Sequence, residues 1–122
     1  MRVIPFVRFA LAAVTLAACT VATAAFPDKP IRIVIGFPAG GPLDQHARLL
    51  SDKLQAVLGQ PILVDYKSGA GGTVGAQEVM KAAPDGYTLM LANTGVMVIN
   101  PALYSKLPYA TLKDFTPVAR TA

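Results

Sequence analysis

The residues best suited to chemistry in this chain are glycines. Gly40 and Gly41 sit in IRIVIGFPAGGPLDQHAR, residues 31–48, and a second glycine loop, KSGAGGTVG, occupies residues 67–75. Glycine permits positive φ and lets a ligand approach main-chain atoms with no Cβ in the way. Pro42 suits the first position of a helix, so the first loop opens on a helix N-terminus. The unpaired N–H groups there, with the positive end of the helix dipole, suit a carboxylate or a phosphate. Tight strand-to-helix turns also need glycine where nothing binds. Two such turns, with Asn93-Thr94-Gly95 as a third, converge on one sheet edge if their strands are parallel, and that convergence favours a small-molecule site.

Other constellations are weaker. Asp44, two residues past Pro42, falls in the first helical turn, where the dipole favours a carboxylate and free N–H groups can be capped. A bare carboxylate would also repel an anionic ligand, so contact between the two requires a bridging water or a neutralised charge. His46 is the only histidine; with no cysteine or second histidine to share a metal, it reads as a solvent-facing helix residue. Ser51, Ser68 and Ser105 lack a nucleophile-elbow context. In Gly69-Ala70-Gly71-Gly72-Thr73-Val74-Gly75, Val74 stands where a dinucleotide fingerprint needs Gly or Ala, no acidic residue ends the next strand, and no Gly-Lys-Ser/Thr is present. These patterns argue against an enzyme and imply no cofactor and no metal.

The elements that must position the loops follow from periodicity. Ile31 to Ile35 reads as a strand, interrupted near its start by Arg32, after a rigid lead-in at Phe26 to Pro30. Leu43, Ala47, Leu50, Leu54 and Leu58 recur at helical spacing, with Gly59 as the C′ residue. Pro61 admits a second strand, Ile62 to Asp65 or Tyr66. A helix over Thr73 to Ala83 stops at Pro84, and Tyr87 to Ala92 is a third strand, nearly continuous in apolar residues as a covered parallel strand should be. Strand, helix, strand, helix, strand is a βαβαβ unit of the α/β class. Val96 to Tyr104 reads as a short helix or turn broken by Pro101, Leu107 to Phe115 as a connection, and Thr116 onward as the start of another extended segment.

The chain has 122 residues and a formal charge of +4. Residues 1–24 read as a secretory signal: Arg2 and Arg8 precede an apolar stretch, Phe9 to Ala18, that is short for a membrane span. Ala22-Thr23-Ala24 is an A-x-A cleavage site, whereas Leu16-Ala17-Ala18-Cys19 matches a lipobox at which Cys19 would be acylated. Both outcomes stand, and the short spacer from Cys19 to the first strand favours plain cleavage. Without Arg2 and Arg8, nine Lys or Arg face seven Asp or Glu, a balance of +2. That is too mild and too scattered to imply nucleic acid or an anionic membrane surface. Cys19 is the only cysteine, so no internal disulfide can form.

Taken together, FPDKPIRIVIGFPAGGPLDQHAR, KSGAGGTVGAQEVMKAAPDGYTLMLANTG and NPALYSKLPYATLKDFTPVA resemble the start of the Bug-type extracytoplasmic solute receptors, the substrate-binding proteins of tripartite tricarboxylate transporters. The resemblance runs from about Phe26 to the last residues. It implies a type II periplasmic binding protein with two α/β lobes, residues 25–122 forming the N-terminal part of the first and the second lying outside this sequence. It further implies a monomeric periplasmic receptor that captures small carboxylates and presents them to membrane components of the transporter. It carries Phe37, Pro38, Ala39, Gly40, Gly41 and Asp44 from the first loop as ligand-binding residues, Gly69, Ala70, Gly71 and Gly72 from the second, and Thr94 and Asn100 from the third region. A lone half-site cannot exclude water from both sides of a ligand or gain affinity by closure, so an inert truncated product is the alternative reading. A nucleotide-dependent enzyme is a more remote one.

Overall fold

Alternation along one strand sets the layers of this protein, whose computed structural model describes residues 25–121. The expected signal segment, with Cys19, lies outside them. Strand β1 (Ile31–Ile35) is central in a three-stranded parallel sheet of order β2-β1-β3, with β2 at Ile62–Tyr66 and β3 at Thr88–Leu91. Successive strand side chains point to opposite faces, and both faces of β1 are covered. Ile31 and Ile33 pack with Ile62, Leu54, Leu58, Leu89 and Leu91, beneath helix α1 (Pro42–Leu58). On the other face Arg32 binds Asp65 of β2 at 3.1 Å and Glu78 at 3.2 Å, the latter from helix α2 (Thr73–Met80). Arg32 therefore interrupts the apolar run because its face of the sheet meets carboxylates there.

Helix α1 spans the residues its periodicity predicts and ends at Gly59, in the left-handed region at φ 68° with its N–H on the Gln55 carbonyl. Helix α2 ends three residues before the expected Ala83. Ala82 N–H turns to the Val79 carbonyl at 3.0 Å, and Pro84 disfavours helical backbone at Ala83. The lead-in is anchored on Tyr87. Phe26 packs against its ring at 4.9 Å, Lys29 lies over it at 4.2 Å, and the Tyr87 hydroxyl donates to Asp28 at 2.5 Å.

The segment after β3 departs from the expected break. A π-helical turn at Gly95–Ile99 runs directly into helix α3 (Asn100–Leu103), and Pro101 sits at the start of the latter. A proline without an N–H takes one main-chain donor from the turn, so the carbonyls four and five residues earlier share one donor fewer. Those are Met97 and Val96, and both are supplied from the stretch read as a plain connection. Thr111 Oγ1 donates to Met97 O at 3.0 Å, and the buried Tyr109 hydroxyl donates to Val96 O. Tyr109, Val96 and Ala76 form the core of the second apolar layer, with Phe115 edge-on to Tyr109 at 5.7 Å. Helix α4 (Thr111–Asp114) follows, its Ala110 N–H held by Asp114 Oδ2 at 2.7 Å. Residues 116–121 form neither strand nor helix.

Tyr109→Phe strips the Val96 carbonyl of its donor inside this layer. An unsatisfied buried acceptor costs about 1–3 kcal/mol, so urea denaturation should show a loss of that size, larger than that of Thr111→Val at the less buried Met97 carbonyl.

Candidate functional site

Because the strands are parallel, the turns that follow β1, β2 and β3 leave the same edge of the sheet. Their glycines let them meet. Gly36 continues the alternation of β1 onto the face covered by α2, and a Cβ there would lie 2.7 Å from Gly72 Cα. A Cβ on Gly75 would lie 2.8 Å from Gly36 Cα, and one on Gly72 would meet Val96 Cγ2 at 2.5 Å and the Phe37 ring at 3.2 Å. Real Cβ atoms do not come so close, so the first and second turns touch backbone to backbone. Lys67 N–H on Ile35 O at 2.8 Å extends the sheet into this junction.

The second turn holds four consecutive residues at positive φ: Gly69 (144°), Ala70 (47°), Gly71 (62°) and Gly72 (91°). Ala70 is the only non-glycine at positive φ among the described residues. Gly72 N–H closes the turn onto Gly69 O at 2.9 Å. The third turn is capped by Asn93, whose Oδ1 accepts from Val96 N–H at 3.1 Å. Buried Asn100 ties it to the second turn, its Nδ2 donating to Gly71 O at 3.1 Å.

The residues singled out from the sequence fall into two groups. Pro38, Ala39, Gly40, Gly69, Ala70, Gly71 and Thr94 are exposed and Gly41 is half-buried. The N–H groups of Ala39, Ala70 and Gly71 donate to no atom of the described residues, whereas Gly41 closes a turn over Ala39 and Gly40. Phe37, Gly72, Asp44 and Asn100 are instead occupied by the protein itself. His46 is exposed on α1, and no cluster of metal-ligating side chains occurs among the described residues.

Asp44 does not stand bare. It is 4% exposed, and both carboxylate oxygens are engaged. Oδ2 accepts from Gly40 N–H at 2.8 Å, while Oδ1 accepts from the Tyr66 hydroxyl at 2.6 Å and from Arg48 Nε at 2.9 Å. Arg48 also donates to the Tyr66 oxygen at 3.2 Å. The hydrogen bond from Tyr66 foremost, then that from Gly40, holds the Asp44 carboxyl below its ordinary 3.8 against the opposing effect of burial, with Arg48 adding to the lowering. The same hydrogen bond raises Tyr66, since its proton is shared with the carboxylate. Tyr66 and Arg48 escaped the sequence reading. The i,i+4 spacing of Asp44 and Arg48 on one helix is a legible signal, whereas Tyr66 comes from a strand 22 residues away and has no local one.

An open groove of about 470 Å³ lies to the side, lined by Arg48, Ser51, Asp52, Ile62, Val64 and Tyr66. It follows α1 and the edge strand β2 and includes none of the glycine-turn residues, so it is separate from the convergent turns.

The chain is an α/β layer on a three-stranded parallel sheet, and solved structures similar to it include periplasmic binding proteins. A periplasmic binding protein, BugD, is 39% identical with a TM-score of 0.72, over 75% of this chain and 30% of its own. MatC from Rhodopseudomonas palustris, solved with bound malate, is 45% identical with a TM-score of 0.73, over 76% of this chain and 32% of its own. An R. palustris protein solved with adipate is 34% identical with a TM-score of 0.73, over 76% and 31%. Among curated relatives, BugT of Bordetella pertussis is 39% identical over 84% of this chain and 32% of its own. The pattern of the tripartite tricarboxylate transporter family receptor matches residues 46–122, and the chain belongs to that family. It spans about a third of the length of the curated relatives it matches.

Two glycine substitutions separate packing from backbone strain. Gly36→Ala forces the first two turns apart and should cost about 3 kcal/mol. Gly40→Ala, with open space around its Cβ but φ at +89°, should cost only about 1–2 kcal/mol. Paired urea melts check the order, and equal losses would contradict the close approach of the turns.

Proposed function

We propose that this chain is the N-terminal part of the first lobe of a periplasmic solute receptor that captures small carboxylates for a tripartite tricarboxylate-type transporter, not an enzyme. The observation that carries the reading is a pair of exposed glycine turns that leave the same sheet edge and abut at Gly36, Gly72 and Gly75, the first of them at the N-terminus of α1. A carboxylate at that edge finds main-chain donors and a favourable helix dipole together. The turn residues Pro38, Ala39, Gly40 and Gly41, with Gly69, Ala70 and Gly71, offer their backbone to the ligand, and Thr94 adds a hydroxyl from the third. Phe37, Gly72 and Asn100 shape the floor beneath them. Asp44, with its charge balanced by Arg48, meets the ligand only through water. Family membership supports the receptor role, and the malate and adipate in two neighbours support the ligand class.

In this reading residues 1–24 direct export, and the mature receptor is a periplasmic monomer that presents its ligand to the transporter's membrane components. Cleavage after Ala24 releases it, with acylation at Cys19 as the alternative. Mass spectrometry of the mature N-terminus should find Ala25 first; a diacylglyceryl Cys19 would establish the lipoprotein instead.

Titration calorimetry of the protein at its native length, with malate, adipate and a tricarboxylate such as citrate, tests the ligand class. Saturable heat with at least one is expected. No heat and no thermal shift with any of them would contradict the carboxylate reading.

A further inference from the structure

We propose that Tyr66 and Arg48 are positioning residues for ligand capture: they clamp the Asp44 carboxylate against Gly40 N–H and so hold the first glycine turn in its ligand-receiving shape. The proposal rests on the receptor reading for its ligand, and on geometry for the clamp. Gly40 lies at φ +89° with nothing within 4 Å of where a Cβ would stand. Neighbouring side chains therefore do not fix the turn by packing at that point. Its amide contact to Asp44 Oδ2 at 2.8 Å is the one hydrogen bond that ties Gly40 N–H to the rest of the described residues. Asp44 is in turn fixed through its other oxygen, by the Tyr66 hydroxyl at 2.6 Å and Arg48 Nε at 2.9 Å.

Tyr66 is the last residue of β2, paired in register with Ile35, the last residue of β1. The clamp therefore references the first turn to the strand whose own continuation forms the second turn. A ligand carboxylate bridging the two turns needs their N–H groups at a set separation, and this contact sets it from outside the ligand site. Arg48 serves a second purpose. Its guanidinium balances the Asp44 charge, so that a carboxylate arriving at the helix N-terminus is not repelled by a second one.

The groups facing Asp44 are Arg48 on α1 and Tyr66 on β2. The charges near them are Asp52, one turn on from Arg48 in α1 and lining the same groove, and Lys67, which pairs with Asp65, itself bound to Arg32, while His46 is exposed on α1. Removing the Tyr66 hydroxyl leaves Asp44 easier to protonate, and a protonated Asp44 no longer holds both Gly40 and Arg48. The ratio of dissociation constants, Tyr66→Phe over wild type, must then grow as pH falls. Comparison at equal pH cancels the ligand's own titration.

The test uses the protein at its native length, as wild type, Tyr66→Phe and Arg48→Gln, with malate and adipate as probes. Amide hydrogen exchange at Gly40 should accelerate roughly tenfold or more in both variants, the weight of a hydrogen bond to a charged group, with β1 amides unchanged. Affinity should drop by a similar factor at pH 7, and for Tyr66→Phe the drop should widen toward pH 4. Unchanged Gly40 exchange, or a Tyr66→Phe affinity ratio that is near one or constant with pH, would overturn the proposal. A wild type that takes up neither probe nor citrate while Gly40 exchange still accelerates in the variants would sink the receptor reading and leave the clamp standing.

Discussion

The site depends on one steric constraint: Gly36, Gly72 and Gly75 leave no room for a Cβ where the first two turns meet. Side chains at these positions would hold the turns apart and break their backbone-to-backbone contact. The rest of the fold serves this junction. Both faces of β1 are packed, so its end is fixed, and Gly36 follows in the alternation at the point where α2 begins to cross the sheet. The segment after β3 seals the junction, its Val96 lying with Phe37 of the first turn over Gly72 and its Asn100 amide on Gly71.

Electrostatics completes what sterics begins. A helix N-terminus attracts an anion, yet this one carries an aspartate in its first turn, which would cancel the attraction if left unbalanced. Arg48 and Tyr66 resolve the conflict by enclosing the carboxylate, so its field beyond the turn is that of a compensated pair. The aspartate then acts on the main chain of the turn instead of on whatever binds there. On the far side of the sheet, Pro101 removes one main-chain donor from the turn, and Tyr109 and Thr111 donate to the Val96 and Met97 carbonyls there. That exchange couples the residues after α3 to the layer that supports the second turn.

Much of this was legible in the sequence. The strands, the first helix with its Gly59 stop, and the glycine turns follow from periodicity and from glycine and proline placement, because each depends on neighbours within a few residues. Two features were not legible, and both join distant positions. The contact of Tyr66 with Asp44 crosses from strand to helix, and the repair of the Pro101 gap comes from residues that read as a bare connection. The early end of α2 was a local miss, since the tightened last turn before Pro84 was readable. The roles of Asp44 and Asn100 illustrate a different limit. Helix position placed Asp44 near the first turn and the family resemblance implied Asn100, but only geometry distinguishes a side chain that faces a ligand from one already spent on the backbone.

The central claim is that main-chain N–H groups of two abutting turns receive a carboxylate, and amide chemical shifts measured during titration with malate or adipate test it most directly. The account predicts that the amides of Ala39, Ala70 and Gly71 shift together and saturate at one ligand concentration, while Ile33 and Val34 in the sheet core stay still. Saturable binding that leaves those three amides unmoved, with the shifts confined to the groove along α1 and β2, would contradict it.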